Sequence, residues 1–493
     1  MKISIDKSSK VPVYLQIADQ IKAQIISGAL PRSSALPSER ALAQILDVHR
    51  NTVVKAYGEL KSDAWIESRQ GVGYLVASAS TEKEPVGESG EGVQMGRVNW
   101  VNEVADKYLD MEKTFDDLFQ RFTDESHFSL GSGIASREVY TSERVAHDIA
   151  GLLTGSGPSQ YFFSPYKGDR FLRQKLASFL GTKGVRASSG EIQILSETNQ
   201  ALDFIVTLLV KPGDSVVMEE PVHPDMYRVM ELAGARILTV PVDEDGMNCD
   251  VLESLLTQTR PRLIFVNSSF HDPTGCILSL ERRKKLVELS SRYRIPIVEE
   301  DAASELVYDG DKLPPIKAFD TTGNVIYIYS FSLTFIPGLS LAFVTGNRDF
   351  VRALSYLVSV RLMASDWMTQ KLLGMYLDDG SYYSSLATFR EIYSGNRDLV
   401  CQKLDALAHL GVRYERPRGG VYVWCRLPDG VDSKHFINRA YNMGVTLIPG
   451  HVFYPYKNGG RDHIRINYSY ESRERLACGM DVLHKALEEE LEE

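Results

Sequence analysis

Between Val13 and Ser27 apolar residues recur at helical spacing, at Val13, Ile17, Ile21, Ile25 and Ile26, and Gly28 ends the run. That stripe predicts an amphipathic helix with one buried face. Leu36-Pro37-Ser38 then supplies a stop, a turn and an N-cap, so a short helix is expected over Glu39–Leu46, with Leu42 and either Ile45 or Leu46 inward. A third helix fits Arg50–Ser62, burying Val53, Tyr57 and Leu60. The period then changes. Trp65-Ile66-Glu67-Ser68 and Tyr74-Leu75-Val76 are strand-like, and Gln70-Gly71-Val72-Gly73 between them reads as a hairpin tip.

From about Ala77 to Gln94 large apolar residues nearly vanish in favour of Ser, Glu, Gly and Lys, the composition of a flexible linker. Residues from about Val98 to Phe122 are amphipathic and fit a helical connector. Beyond Phe128, short apolar runs alternate with helical stretches, at Gln193–Leu195, Ser215–Met218, Arg236–Val240, Leu263–Val266, Ile297–Glu299, Val325–Tyr329 and Leu341–Val344. Strands separated by helices predict an α/β domain with a mainly parallel central sheet. From about Gly380, helices mix with short strands such as Val421–Arg426 and His463–Asn467, the pattern of a small α+β lobe. The expected organisation is an α+β head over 1–78, a linker and connector over 79–125, and a body over 126–493 whose last part, about 380–493, is the lobe.

Composition adds one asymmetry. The chain has a net charge of −10, yet residues 1–78 hold ten Lys/Arg against seven Asp/Glu, which leaves −13 on the rest. A mildly basic head on an acidic body points to a polyanionic partner for the head alone. Five scattered cysteines without a CxxC pair argue against a disulfide framework or a structural zinc site. No run of ~18 apolar residues offers a membrane span, and Met1-Lys2-Ile3-Ser4-Ile5-Asp6 lacks a signal-peptide pattern, so a cytoplasmic protein without membrane contact is expected.

A short helix, a turn, a second helix and a hairpin make the geometry that lays one helix in a major groove with a wing beside it. On that reading Arg50 and Asn51 suit base edges, Thr52 and Lys55 suit phosphates, and Ser38, Arg40 and Arg69 flank them. Glycines at Gly71 and Gly73 let the wing backbone approach the nucleic acid closely. The same charges would also suit a solvated helical bundle; resemblance separates the two readings. Leu36-Pro37-Ser38-Glu39-Arg40-Ala41-Leu42-Ala43, then Val48-His49-Arg50-Asn51-Thr52-Val53, then Gly71-Val72-Gly73 resemble the GntR-family winged helix-turn-helix in order and spacing. That resemblance implies binding to double-stranded DNA with paired half-sites. One departure is His49, where the family has a capping serine, so a weaker or otherwise supported helix start is expected.

The body resembles fold-type I aminotransferases from about Ser129 onward, and behind a GntR head this is the pattern of MocR-type regulators. The resemblance is carried by Gly168-Asp169-Arg170-Phe171-Leu172-Arg173, Gln200-Ala201-Leu202-Asp203, Lys211-Pro212-Gly213-Asp214, Asp272-Pro273-Thr274-Gly275, Ser330-Phe331-Ser332-Leu333-Thr334, Pro337-Gly338-Leu339, Pro417-Arg418-Gly419-Gly420 and Ile464-Arg465-Ile466, in the family's order. It implies a homodimer and a pocket for pyridoxal phosphate (PLP), whose aldehyde needs a lysine amine. The position matching that lysine is Leu333, so covalent attachment of PLP and catalysis are expected to be lost and no cofactor is expected. Other matching positions have changed too. The carboxylate facing the ring nitrogen is Glu300, one methylene longer than the family's aspartate, and the tyrosine near the ring oxygen is Ala302. The stacking aromatic is His223. At the phosphate end the family's arginine is Ser340 and the glycine opening the phosphate-binding turn is Glu197. Pointing inward, Glu197 ~4 Å from a phosphate charge costs about 4 kcal/mol at an effective dielectric near 20.

Arg465 matches the family arginine that clamps a substrate carboxylate. It reads equally as such a clamp, with Asp272 and His223 as further ligand-binding candidates, or as an ion pair bridging domains. As a clamp it implies a small carboxylate effector.

Overall fold

The computed structural model describes residues 3, 5, 12–26, 30–31, 34–62, 65–69, 73–76, 121, 126–136, 138–140, 142–155, 165–336, 338–362, 366–456 and 459–492. The chain falls into two compact units, Met1–Val98 and Asn99–Glu493. Gln70, Gly71 and Val72 at the hairpin tip, the Arg69 side chain, the linker, and all of the connector but Arg121 lie outside the described residues.

The first unit contains α1 (Val13–Ile26), α2 (Glu39–Leu46), α3 (Arg50–Ser62) and a hairpin of β1 (Ile66–Arg69) and β2 (Gly73–Val76). Ile17, Ile21, Leu42, Val53, Tyr57 and Leu60 close its core, each fully buried, with Ile66 and Val76 from the hairpin beside them. On α2 the choice between Ile45 and Leu46 falls on Leu46, since Ile45 is 69% exposed while Leu46 packs on the core. The hairpin pairs Arg69 with Gly73, and Gly73 takes φ +99°, a conformation that side chains resist. A pairing not expected from the sequence sets a third extended segment beside β2: Ala35 bridges Leu75, the Leu36 N–H donates to Tyr74 O at 2.8 Å and Val76 N–H to Ser34 O at 2.9 Å.

In the second unit a strand β3 (Phe128–Ser129) precedes an eight-stranded sheet. Its strands are β4 (Ile192–Leu195), β5 (Ser215–Glu220), β6 (Arg236–Asp243), β7 (Gly246–Met247), β8 (Ile264–Asn267), β9 (Ile297–Asp301), β10 (Val325–Ser330) and β11 (Ala342–Thr345), in the order β4-β11-β10-β9-β8-β5-β6-β7. Strands β6, β5, β8, β9 and β10 run parallel; β11 runs against both β4 and β10, and β7 is a short antiparallel edge. Every residue of β9 and β10 is buried, as a sheet covered by helices on both faces requires. Tyr327 and Tyr329 pack into one core with Phe179 and Tyr382, whereas Ile326 and Ile328 pack into another with Leu202 and Ile205.

The lobe holds β12 (Arg413–Tyr414), β13 (Tyr422–Arg426), β14 (Val445–Thr446), β15 (Ile448–Pro449) and β16 (His463–Asn467), with an antiparallel sheet ordered β12-β13-β16-β15. It does not begin at 380 alone: β3 pairs parallel with β14, the Phe128 N–H donating to Gly444 O at 2.8 Å. Gly419 and Gly420 fit beneath the Phe270 ring; a Cβ on Gly419 would stand 2.2 Å from that ring and 2.2 Å from Leu306 O. The Pro417–Gly420 motif is thus a close packing contact between the lobe and the residues after β8. Strands β8, β9 and β10 end in Asn267, Glu300-Asp301 and Ser330, and the carboxyl ends of parallel strands are where such sheets hold ligands.

Candidate functional site

In the head, α2 and α3 are fixed to each other and to the wing by one carboxylate. Glu39 Oε2 accepts from Arg50 Nη2 at 2.9 Å and Nε at 3.3 Å, and its Oε1 accepts from the Tyr74 hydroxyl at 3.0 Å. The Arg50 hydrogen bond holds the Glu39 carboxyl below its usual range. Partial burial, with the Glu39 hydrogen bond next, raises the Tyr74 phenol. The Tyr57 hydroxyl donates to Pro37 O at 2.8 Å, and its ring meets that of Tyr74 edge-on at 4.9 Å. Arg50 stays 53% exposed at the side chain, so Glu39 aims it without hiding it. Arg40, Asn51 and Lys55 are exposed and Thr52 is half-buried. Ser38 caps α2, its hydroxyl accepting from Ala41 N at 3.3 Å.

His49 supplies the support its position needs: ring Nδ1 accepts from the Asn51 N–H at 3.2 Å, and its carbonyl accepts from Thr52 N at 2.9 Å. Serine ranks among the best caps and histidine does not. His49→Ser is expected to raise the stability of the head by up to about 1 kcal/mol. Thermal unfolding of the variant checks this; a lowered midpoint would show that the ring does more than cap.

In the body, His223, Asp272, Glu300, Ala302 and Leu333 come together around a cavity of about 170 Å³. Val222, Met226, Phe265, Phe270 and Tyr422 complete its apolar wall, and Thr198, Asn267, Ser269 and Ser332 add polar groups. Glu197 and Ser340 are not among the lining residues. Glu197 is exposed at the N-cap of the helix Thr198–Leu209, with extended backbone and no capping bond, so the inward carboxylate considered from the sequence is absent; water solvates the charge instead. Leu333 is 5% exposed and joins the core with Phe331 and Phe335.

Arg465 stands behind the cavity on β16. Its Nη1 donates to both Asp272 oxygens at 2.8 Å, and Nη2 donates to Gly131 O at 2.8 Å. The guanidinium lies 4.3 Å from the centre of the Tyr422 ring and 5.2 Å from that of Phe453. The side chains are 3% and 15% exposed. Burial opposes both charges, yet the attractions together outweigh it: Asp272 with Tyr422 raises the Arg465 pKa, and Arg465 with His223 lowers that of Asp272. The clamp is therefore filled by the chain's own carboxylate. His223 Nε2 lies 3.8 Å from Asp272 Oδ2, while its Nδ1 accepts from Asp225 N at 3.3 Å and caps the helix Pro224–Leu232.

Two cavity groups escaped the sequence reading. Asn267, paired with Glu300 in the register of β8 and β9, donates its side-chain N–H to Glu300 Oε2 and its backbone N–H to Glu219 Oε2 at 2.6 Å. The signal available was a polar residue closing an apolar strand run. Tyr422 is the other, and its hydroxyl approaches Gly133 so closely that a Cβ there would stand 2.5 Å away. Burial pushes the Glu300 carboxyl up to about 8, with Asp301 and Asp272 adding repulsion.

No lysine lines the cavity among the described residues. Lys317 holds Asp320 and Val325 O at 2.8 and 2.7 Å, at the start of β10, whereas Ser330 ends that strand. Lys183 is fully buried and bound to Ser304 Oγ at 2.5 Å and Glu305 at 2.8 Å. No cluster of the described residues is arranged to hold a metal ion, and no helix among them is long and apolar enough to cross a membrane.

Comparison with known proteins fits both units. Residues 13–76 match the bacterial regulatory proteins of the gntR family, and residues 125–481 match aminotransferase class I and II. The chain is 27% identical over 477 residues to an uncharacterized HTH-type transcriptional regulator, YisV of Bacillus subtilis, covering 96% of each protein. It is 28% identical over 458 residues to the probable rhizopine catabolism regulatory protein MocR of Rhizobium meliloti, covering 90% of this chain and 88% of that one. The solved structure of Pyrococcus horikoshii kynurenine aminotransferase superposes with a TM-score of 0.75 at 27% identity, over 80% of this chain and 98% of that one. With a gntR-family DNA-binding head in front of an aminotransferase body, the chain belongs to the aminotransferase class I and II family and is a transcription regulator of the MocR type.

Proposed function

We propose that this regulator works as a homodimer whose body has left Schiff-base chemistry and serves to sense a small molecule and to join the two heads. The observation that carries the reading is Leu333, a buried hydrocarbon side chain on the wall of a cavity that no described lysine lines, at the position that the sequence resemblance matches to the family's lysine. PLP normally sits in this fold. The residues here do not fit its covalent attachment: Leu333 has no nucleophile, Ala302 gives no hydroxyl, and Ser340 cannot replace a guanidinium on a phosphate. Two heads reading paired half-sites need a fixed spacing, which a body shared by two chains supplies. A ligand alters DNA binding only if it prefers one arrangement of the heads.

The purified chain mixed with PLP is expected to develop no Schiff-base absorbance and, after borohydride, no mass increase from a reduced adduct. A borohydride-fixed adduct would restore the alternative, a PLP-responsive regulator or an aminotransferase. A carboxylate effector held by Arg465 requires Asp272 to give way first, so its binding should be weak in the wild type and lost in Arg465→Ala.

A further inference from the structure

We propose that the cavity in the body is a receptor for a small organic amine, with its ammonium on Glu300 and Asp272 and its carbon skeleton on the apolar wall. The proposal deepens the sensor reading of the same site and names its ligand class.

The balance of charged groups points away from an anion. Glu300 and Asp272 line the cavity, and among the described residues neither Lys nor Arg does. The nearest guanidinium, Arg465, has both Nη atoms engaged on Asp272 and Gly131, and its Nε is buried without a partner. A carboxylate arriving here raises the Glu300 pKa further, above its value of about 8, and meets a guanidinium already paired with Asp272. An ammonium draws that pKa down and pairs with the carboxylate it ionises.

The unsatisfied atoms agree. Glu300 is 7% exposed; Asn267 occupies its Oε2, and no described group donates to Oε1. Asn267 Oδ1 is buried without a donor, because the amide has turned its N–H toward Glu300. Asn267 Oδ1 is a buried acceptor awaiting a hydrogen, and such atoms are rarely left so; Glu300 Oε1 becomes a second acceptor when the carboxyl ionises. An ammonium brings three donors; a carboxylate brings none.

Size and shape limit the rest of the ligand. A cavity of about 170 Å³ is comparable with the roughly 150 Å³ apolar cavity that holds benzene, so one ring or an alkyl group of that bulk fits. Val222, Met226, Phe265, Leu333 and Tyr422 supply the apolar surface for it. Where the family's lysine would bring its own cation, Leu333 brings carbon, and the acidic face is free for a cation from outside.

Calorimetry on the full chain without DNA tests the class with three probes of one shape: benzylamine, benzyl alcohol and benzoate. Benzylamine is expected to bind at least tenfold more tightly than the other two. Glu300→Gln is expected to lower benzylamine affinity at least tenfold and leave benzyl alcohol unchanged. If that variant does not fold, the ranking in the wild type decides alone. Equal affinities, a preference for benzoate, or no binding by any of the three would overturn the proposal. A borohydride-fixed PLP adduct sinks the lysine-free reading without touching this ranking, and a failed ranking leaves that reading standing.

Discussion

Arg465→Ala is expected to destabilise the body by about 3–5 kcal/mol, the scale on which removing one partner of a buried ion pair acts. The magnitude follows from what is left behind. Asp272, 15% exposed, loses both 2.8 Å bonds to the guanidinium and keeps the Tyr422 hydroxyl and His223 at 3.8 Å, while Gly131 O loses its donor. The guanidinium also fills the space between Tyr422 and Phe453. Replacing both partners, as Arg465→Met with Asp272→Leu, is expected to recover most of the loss, because no charge then remains to be solvated. Urea unfolding followed by tryptophan fluorescence checks both, with Trp424 lying opposite Arg465 in the register of β13 and β16. A loss below about 1 kcal/mol in the single variant would place the pair among exposed ion pairs, which stabilise little.

The second large effect is on DNA. Arg50→Ala should weaken binding to the specific site by about 1–3 kcal/mol and leave binding to unrelated DNA nearly unchanged. Arg50 is exposed, at the first turn of α3, and held in one direction by Glu39. Orienting a planar guanidinium before contact reduces the entropy lost on forming a bidentate bond to a base edge. Lys55→Ala should act differently, lowering affinity on every sequence and reducing the salt slope by about one. Fluorescence anisotropy over a range of salt separates the two. An Arg50→Ala protein that binds its operator normally removes Arg50 from the readout.

The strands of the parallel core are legible because burial on both faces demands unbroken apolar runs, and β8, β9 and β10 each begin within one residue of expectation. The head is legible for a different reason: its three helices are short, closely punctuated by Gly28, Pro37 and Ser38, and amphipathic. What escaped was long-range and carried by few residues. β3 is two residues paired with a strand more than three hundred positions away, and the Leu36–Tyr74 contact is made by backbone groups that leave no apolar period. The choice of Leu46 over Ile45 turns on one step of rotation in an eight-residue helix. In the pocket, the matched positions His223, Asp272, Glu300, Ala302 and Leu333 came together while Glu197 and Ser340 stayed off its lining, and the partners did not follow from the match. Asp272 and Arg465 lie 193 residues apart, and nothing local says that one will fill the other. Glu197 faces solvent because a charged side chain at a helix start is free to rotate outward.

Strand β11 sets an order on synthesis. Among the described residues it is the only neighbour of β4 in the sheet, pairing Ile192 with Thr345 and Leu195 with Ala342. A ribosome adding ~5–20 residues per second therefore leaves β4 without its hydrogen-bonding edge for roughly 8–30 s. All four residues of that strand are buried in the finished sheet, so through this interval an apolar edge stands open to other chains. The DNA-reading head, encoded wholly upstream and built on contacts close in sequence, has time to fold before the pocket exists. A chain released early would carry a finished head with no body behind it.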